Sequence, residues 1–323
     1  MVEFEDLETV TASIASKLRN GGILTVESLT STPRSRLKEI LKGVSEKKIS
    51  EIQEEAWKKR GLWFTPAIQL YEKRKEELIF STGCKALDQL LKGGVRTCHI
   101  TEFAGEYRSG KSECLLTLTA ETLAKNPEYS AIFLDSEESF SGGARLYEIA
   151  EQRGYDPQDI LKRVIYMPVY NTNHFKAALV AIRSLIKERN VKLVLIDSLT
   201  AHYRSEYTGR ETLWQRQQLL NLDIHTLLTI ARDWNVAVAV TNQVTDNPQI
   251  LYTSDPVQQK IPVGGNIVAH GMETRIHLRP AGSIRNRRIA YLHDSSWLAQ
   301  GECVFQITAK GIEDVPEEEN RDV

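Results

Sequence analysis

One segment limits the possible folds more than any other. Residues 105–112 read Gly-Glu-Tyr-Arg-Ser-Gly-Lys-Ser, a G-x-x-x-x-G-K-[ST] pattern. A strand-like run, His99–Phe103, precedes it and a helix-like run over 111–125 follows. A loop between a strand and a helix can turn its backbone N–H groups inward on phosphate, with the positive end of the helix behind them. The glycines let the backbone make that turn. The expectation is that Gly105, Glu106, Tyr107, Arg108, Ser109, Gly110, Lys111, Ser112 and Glu113 hold ATP, with Lys111 on the β- and γ-phosphates and Ser112 on Mg²⁺. Such a loop belongs at the carboxyl edge of an open α/β sheet.

The rest of the chain fits that sheet. From about residue 80, strand-like runs alternate with helix-like ones. The strands are His99–Phe103, Ala131–Leu134, Val164–Pro168, Leu193–Ile196 and Val236–Thr241. Three are near-continuous apolar runs, as expected where both faces of a parallel sheet are covered. Helical segments fall at 111–125, 143–153, 174–189 and 212–233, and added strands at 274–280, 287–293 and 303–308. This predicts a doubly wound α/β domain over 80–315. Residues 1–60 hold no strand-like run and read as a small helical domain, with Gly21-Gly22 and Gly43 as punctuation. Residues 61–79, with Pro66 and a charged stretch, read as a linker and an exposed helix, and 316–323 as a frayed acidic tail.

Composition narrows the function classes. No apolar run is long enough to span a bilayer, and the acidic start lacks the basic region of a signal peptide, so no membrane partner is expected. Cys84, Cys98, Cys114 and Cys303 are scattered without metal or disulfide spacing and read as free thiols in a reducing cytosol. The net charge of −2 gives no global basic excess, so any nucleic-acid contact must come from local loops.

Further strand ends carry polar groups. Leu193–Ile196 ends in Asp197, placed to help hold Mg²⁺. Another strand ends Asp135-Ser-Glu137-Glu138; either glutamate could activate water, and the residues alone do not choose. A third closes in Asn242-Gln243, and Gln243 could bond the γ-phosphate. Residues 203–216 read as an Arg-rich loop, with Arg204, Arg210 and Arg216 among Tyr203, Tyr207 and Gly209. Residues 245–262 read as a long loop with Leu251-Tyr252 as an apolar tip. Two such loops side by side could grip single-stranded nucleic acid.

Taken together, these residues resemble the RecA-family recombinases, most closely archaeal RadA and its eukaryotic relatives, over about residues 10–315. The resemblance rests on Phe64-Thr-Pro-Ala67, Ser81–Asp88, Thr101–Lys111, Leu195–Ser198, Tyr203-Arg204, Thr241–Val244, Val263–His270 and Asp294-Ser295, in that order and spacing. It implies a RecA-like P-loop ATPase core with a twisted, largely parallel sheet, and a small all-α helix-hairpin-helix domain ahead of it. It implies that Glu137 activates water, that Gln243 senses the γ-phosphate at the start of a second DNA-binding loop, and that His270 lies near that phosphate. Asp294 would cover ATP bound to the adjacent subunit. Arg145 would stack on adenine. Arg204, Arg210 and Arg216 would belong to the first DNA-binding loop. Phe64 and Ala67 would anchor polymerisation by adding an extended linker to a neighbour's sheet.

The implied activity is that of a DNA-dependent ATPase. It would assemble as a filament or ring, bind single- and double-stranded DNA, and pair and exchange homologous strands in DNA repair, in a cytoplasmic, nucleoid-associated setting with mediator proteins. The rival is a regulatory paralogue that binds a recombinase without exchanging strands; a RecA-like clock or signalling ATPase fits the helical N-terminal domain less well. Some positions depart from the family pattern. Glu138 stands where glycine is usual, and Phe140–Arg145 runs one residue longer. Glu113 replaces a glutamine and Ala299 a proline, the first hairpin reads Leu7-Glu-Thr-Val-Thr without its glycines, and Lys260 is the one basic residue of the second loop.

Overall fold

The computed structural model describes residues 2–316 apart from 24, 210, 247–259, 283 and 285. Arg210, Leu251 and Tyr252 lie outside the described residues. The chain divides after Glu76 into two compact units.

The first unit is built from helices α1 (Ala12–Asn20), α2 (Val26–Ser31), α3 (Arg34–Ile40), α4 (Glu46–Lys59) and α5 (Ala67–Arg74). Thr11, Thr25 and Ser45 cap three of them, each accepting a backbone N–H from the first turn. Ile14, Leu18, Val26, Leu29, Leu37, Ile49 and Ile52 meet in one core. Gly21 makes this possible, because a Cβ there would stand 2.4 Å from Ile40. Helix α5 buries none of its residues, and Phe64 ahead of it is 93% exposed. The extended linker expected through Ala67 stops at Pro66, which caps α5; Ala67 is its first helical residue.

The second unit opens with β1 (Ile79–Phe80), α6 (Lys85–Leu90) and β2 (Val95–Arg96), the two strands pairing antiparallel. The main elements follow as β3 (Ile100–Gly105), α7 (Lys111–Lys125), β4 (Ser130–Asp135), α8 (Ala144–Gln152), α9 (Pro157–Lys162), β5 (Val164–Pro168), α10 (Thr172–Arg189), β6 (Val191–Asp197), α11 (Ala201–Glu206) and α12 (Leu213–Trp234). Then come β7 (Ala237–Asp246), β8 (Lys260–Pro262), α13 (Gly265–Gly271), β9 (Thr274–Pro280), β10 (Arg287–Ser295), β11 (Gly301–Thr308) and β12 (Gly311–Asp314). The sheet order is β12-β11-β10-β9-β3-β7-β6-β4-β5, parallel from β9 to β5 and antiparallel from β9 to β12.

The apolar runs are continuous because successive residues enter opposite cores. In β6, Leu193 and Leu195 join the core that includes Leu115 of α7, while Val194 and Ile196 join the one that includes Ile182 of α10 and Leu227 of α12. No helix among the described residues is long and apolar enough to cross a membrane.

Two expectations are corrected here. Arg204 stands on helix α11 rather than in the open loop expected over 203–216, while Arg216 stands on α12, within the helix expected over 212–233. Tyr203 is buried and donates to the Asp223 carboxylate, which ties α11 to α12 and overrides the local turn signals. The second segment is not loop from residue 245, because β7 runs on to Asp246 and pairs antiparallel with β8.

A buried polar cluster pins the central strands. Glu102 of β3 accepts from Arg275 Nε of β9 at 2.6 Å and from Asn242 Nδ2 of β7 at 2.6 Å. Asn242 also accepts from Thr200 at 2.7 Å and donates to the Val263 carbonyl at 2.8 Å. Every polar atom of the Asn242 side chain thus has a partner, as a buried amide requires.

Candidate nucleotide and DNA-coupling site

Strand register assembles the site. The β3–β7 pairing sets Gly105 beside Gln243, and the β4–β6 pairing sets Asp135 beside Asp197. Gly105, Asp135 and Asp197 end their strands and Gln243 ends the parallel pairing of β7, so these positions and the turns that follow share one edge of the sheet.

The loop from β3 to α7 needs two of its glycines for space and conformation. A Cβ at Gly105 would stand 2.4 Å from Ser109 Oγ and 2.5 Å from the Leu278 carbonyl. Gly110 has φ of +99° immediately before α7. Lys111 folds back on its own loop, donating to the carbonyls of Gly105 at 3.0 Å and Glu106 at 2.8 Å. Burial lowers the Lys111 pKa, and Asp197 and Glu137 oppose that shift. Two adjoining cavities of about 400 and 330 Å³ share Tyr107, Lys111 and Glu137 in their walls.

Asp197 is almost fully buried and surrounded by hydroxyls. Ser112 Oγ and Ser139 Oγ each donate to its Oδ2 at 2.6 Å, and Thr241 donates to Oδ1. Burial pushes its carboxyl above the usual range, against those three donors. Ser112 Oγ and Asp197 are adjacent hard oxygens beside a phosphate-type loop, which is the donor chemistry that suits Mg²⁺. A buried carboxylate whose hydrogen-bond donors are neutral hydroxyls gains from a cation, so the residues present fit that ion.

The turn after β4 is organised by Asp135. Its Oδ1 accepts the N–H groups of Glu137 and Ser139, each at 3.1 Å, and its Oδ2 that of Phe140 at 2.9 Å. This folding sends the two glutamates to different surroundings. Glu137 Oε1 accepts from Ser198 Oγ at 2.7 Å and from Gln243 Nε2 at 2.9 Å. Glu138 takes φ of +55°, the left-handed region that favours glycine. The glycine usual at this position in the resembling family thus has a conformational reason, and this chain goes without it.

Gln243 is in turn held by Arg204, whose Nη1 donates to its Oε1 at 2.6 Å. Lys260, at the foot of β8, reaches Glu106 at 3.1 Å and Asp246 at 2.6 Å. Arg145 is clamped beside the loop helix, with Glu113, Glu148 and the carbonyls of Thr308 and Ala309 on its guanidinium edge. Only the planar face remains for stacking. Tyr107 is 84% exposed, with the Arg108 guanidinium over its ring.

The structure therefore brings Lys111, Ser112, Asp197, Glu137, Gln243 and Arg204 together. His270 on α13 and Asp294 on β10 are exposed and line neither cavity. Arg216 is half-buried, and no side-chain hydrogen bond joins it to this group. Sequence reasoning missed Ser139, Ser198 and Thr241. Their signal was available: each is a hydroxyl residue within four positions of a strand-end carboxylate or amide. The family model described as Rad51 matches residues 73–315, well over half of the chain.

Proposed function

Because the chain belongs to the Rad51 family, whose members are DNA-dependent ATPases that form filaments, we infer that it is an ATP-dependent recombinase. In this reading it assembles on single-stranded DNA, pairs it with a homologous duplex and exchanges strands. The observation that carries the reading is the course of β7. Its Gln243 lines the nucleotide cavity, and three residues later the same strand leaves at Asp246 for residues 247–259. One strand thus joins the candidate phosphate site to the second candidate DNA segment.

The chain's residues divide the work as follows. Lys111 leaves the Gly105 and Glu106 carbonyls for the β- and γ-phosphates, and the loop from Gly105 to Glu113 wraps them. Ser112 and Asp197 hold Mg²⁺, which when bound neutralises developing phosphate charge. Glu137 takes the proton of the attacking water. The face of Arg145 stacks on adenine. Phe64 and Ala67 join protomers, and Asp294 with His270 complete the site from exposed positions, Asp294 toward the neighbour's nucleotide.

The test is anisotropy of a labelled single-stranded oligonucleotide across a salt series. Binding should require ATP, and log affinity should fall linearly with log salt. Arg204→Ala, Arg210→Ala and Arg216→Ala should each reduce the slope by about 0.7, the single-strand increment per phosphate contact. Leu251→Ala and Tyr252→Ala should lower affinity at unchanged slope, because stacking is not ionic. Absence of ATP-dependent binding at low salt would refute the recombinase reading.

It would then favour the regulatory paralogue, which has one observation on its side. The turn after β4 keeps Glu138, Ser141, Gly142 and Gly143 all at positive φ, a departure from the family pattern beside the water-activating position. A strand-exchange assay separates the two.

A further inference from the structure

The hydrogen bonds that meet at Gln243 have a direction. Arg204 can only donate, and the Glu137 carboxylate can only accept. The amide between them is therefore oriented by both neighbours, oxygen toward Arg204 at 2.6 Å and nitrogen toward Glu137 at 2.9 Å. Ser198 completes the hold on the same Glu137 oxygen at 2.7 Å. Without Arg204, the amide loses the donor that fixes which end faces the carboxylate.

Arg204 is also exposed, on a helix of six residues beside the site. Its bond to Gln243 joins a guanidinium to a neutral amide oxygen. A phosphodiester offers the same guanidinium a full negative charge and two oxygens that match its fork, a stronger type of bond. Given the choice, the side chain goes to phosphate.

We propose that Arg204 is a positioning residue for ATP hydrolysis, a restraint that holds Gln243 against Glu137 until a backbone phosphate of single-stranded DNA draws it away. Release frees the Gln243 amide to turn toward the γ-phosphate and returns the Glu137 oxygen to the attacking water. One arginine thus both touches DNA and reports the contact to the carboxylate, through a single amide and with no movement of the sheet. This rests on the reading of the chain as a DNA-dependent ATPase.

The experiment compares turnover of wild type, Arg204→Ala and Arg204→Lys in the full chain, without DNA and across an oligonucleotide titration to saturation. Removing the restraint should raise the DNA-free kcat of Arg204→Ala about fivefold, the rate equivalent of one modest hydrogen bond lost from the ground state. Saturating DNA should then add little. Arg204→Lys, which keeps a donor for Gln243, should reverse most of the rise. A DNA-ligand role alone predicts something different: an unchanged DNA-free kcat, a higher DNA concentration for half-activation, and the full stimulated rate at saturation. That pattern, or a fall in the DNA-free rate, overturns the proposal. If DNA fails to raise wild-type turnover, the functional reading fails, and the DNA-free comparison still decides the role of Arg204.

Discussion

Phe64→Ala tests whether assembly runs through the linker. The ring is 93% exposed within the chain, with Trp63 edge-on to it at a centroid distance of 5.6 Å. Almost none of its hydrophobic surface is used in folding, so nearly all of it is available to a partner. Fully burying such a side chain is worth about 1.5–3 kcal/mol, and truncating an aromatic anchor in an interface costs about 2 kcal/mol or more. A loss of about 2–3 kcal/mol per contact weakens each protomer–protomer step by about 30- to 140-fold. The same exposure predicts that folding stability changes by less than about 0.5 kcal/mol, the usual limit for surface sites. Light scattering over a dilution series reads the first quantity and urea unfolding the second. The expected result is a shift to small species with an unchanged urea midpoint and lower ATP turnover, since Asp294 would no longer reach a neighbour. An unchanged size distribution refutes the anchor. A loss of assembly accompanied by a large drop in folding stability refutes the argument from exposure.

Other perturbations address the site itself. Glu137→Gln should retain ATP binding and lose turnover by about 10²-fold, the scale of acid–base assistance, while Glu138→Gln changes little; steady-state kinetics giving the reverse ranking would exchange their roles. Glu138→Gly should raise stability by about 0.5–1 kcal/mol, because φ of +55° suits glycine, and a lower urea midpoint would contradict that. Burial, reinforced by His293 and Arg279, lowers the His277 pKa from 6.5 to about 4. The unfolded chain therefore binds a proton that the native one refuses. Stability should be complete above pH 6.5 and decline as pH falls toward about 4, by on the order of 3 kcal/mol. His277→Gln should flatten that part of a urea-midpoint profile, and an unaltered profile would rule the histidine out as its source.

The sequence was most legible where a local rule fixes the outcome. The loop at 105–112 dictates a strand before it and a helix after it, and β3 and α7 are there. The apolar runs of β4 and β6 follow from burial on both faces, which needs no partner to be known. Legibility ended where distant residues decide. Tyr203, on the helical segment Ala201–Glu206, is tied to α12 by a bond to Asp223, twenty residues on. Thr245 and Asp246 read as loop because they are polar, and they are strand because Ile261 and Lys260 return alongside. The residues alone left Glu137 and Glu138 equal. Only the turn built on Asp135 sends one to Ser198 and Gln243 and the other into a left-handed conformation. Arg204 and Gln243 are thirty-nine positions apart, and no spacing rule joins them.

Glu102, clustered with Arg275 and Asn242, sits three residues before Gly105, in the strands whose alignment sets Gln243 beside that glycine. Apolar residues of similar volume could replace a buried ion pair with no loss of stability and even a gain. They would fit a slipped pairing as readily as the native one, and a slip of one residue turns every side chain of a strand to its other face. Damage at this cluster can therefore escape a melting curve altogether. A variant could be abundant, compact and thermally robust while its glutamine faces away from the nucleotide. Any screen that scores this chain by expression or heat tolerance would accept such variants, and only a measurement of turnover would expose them.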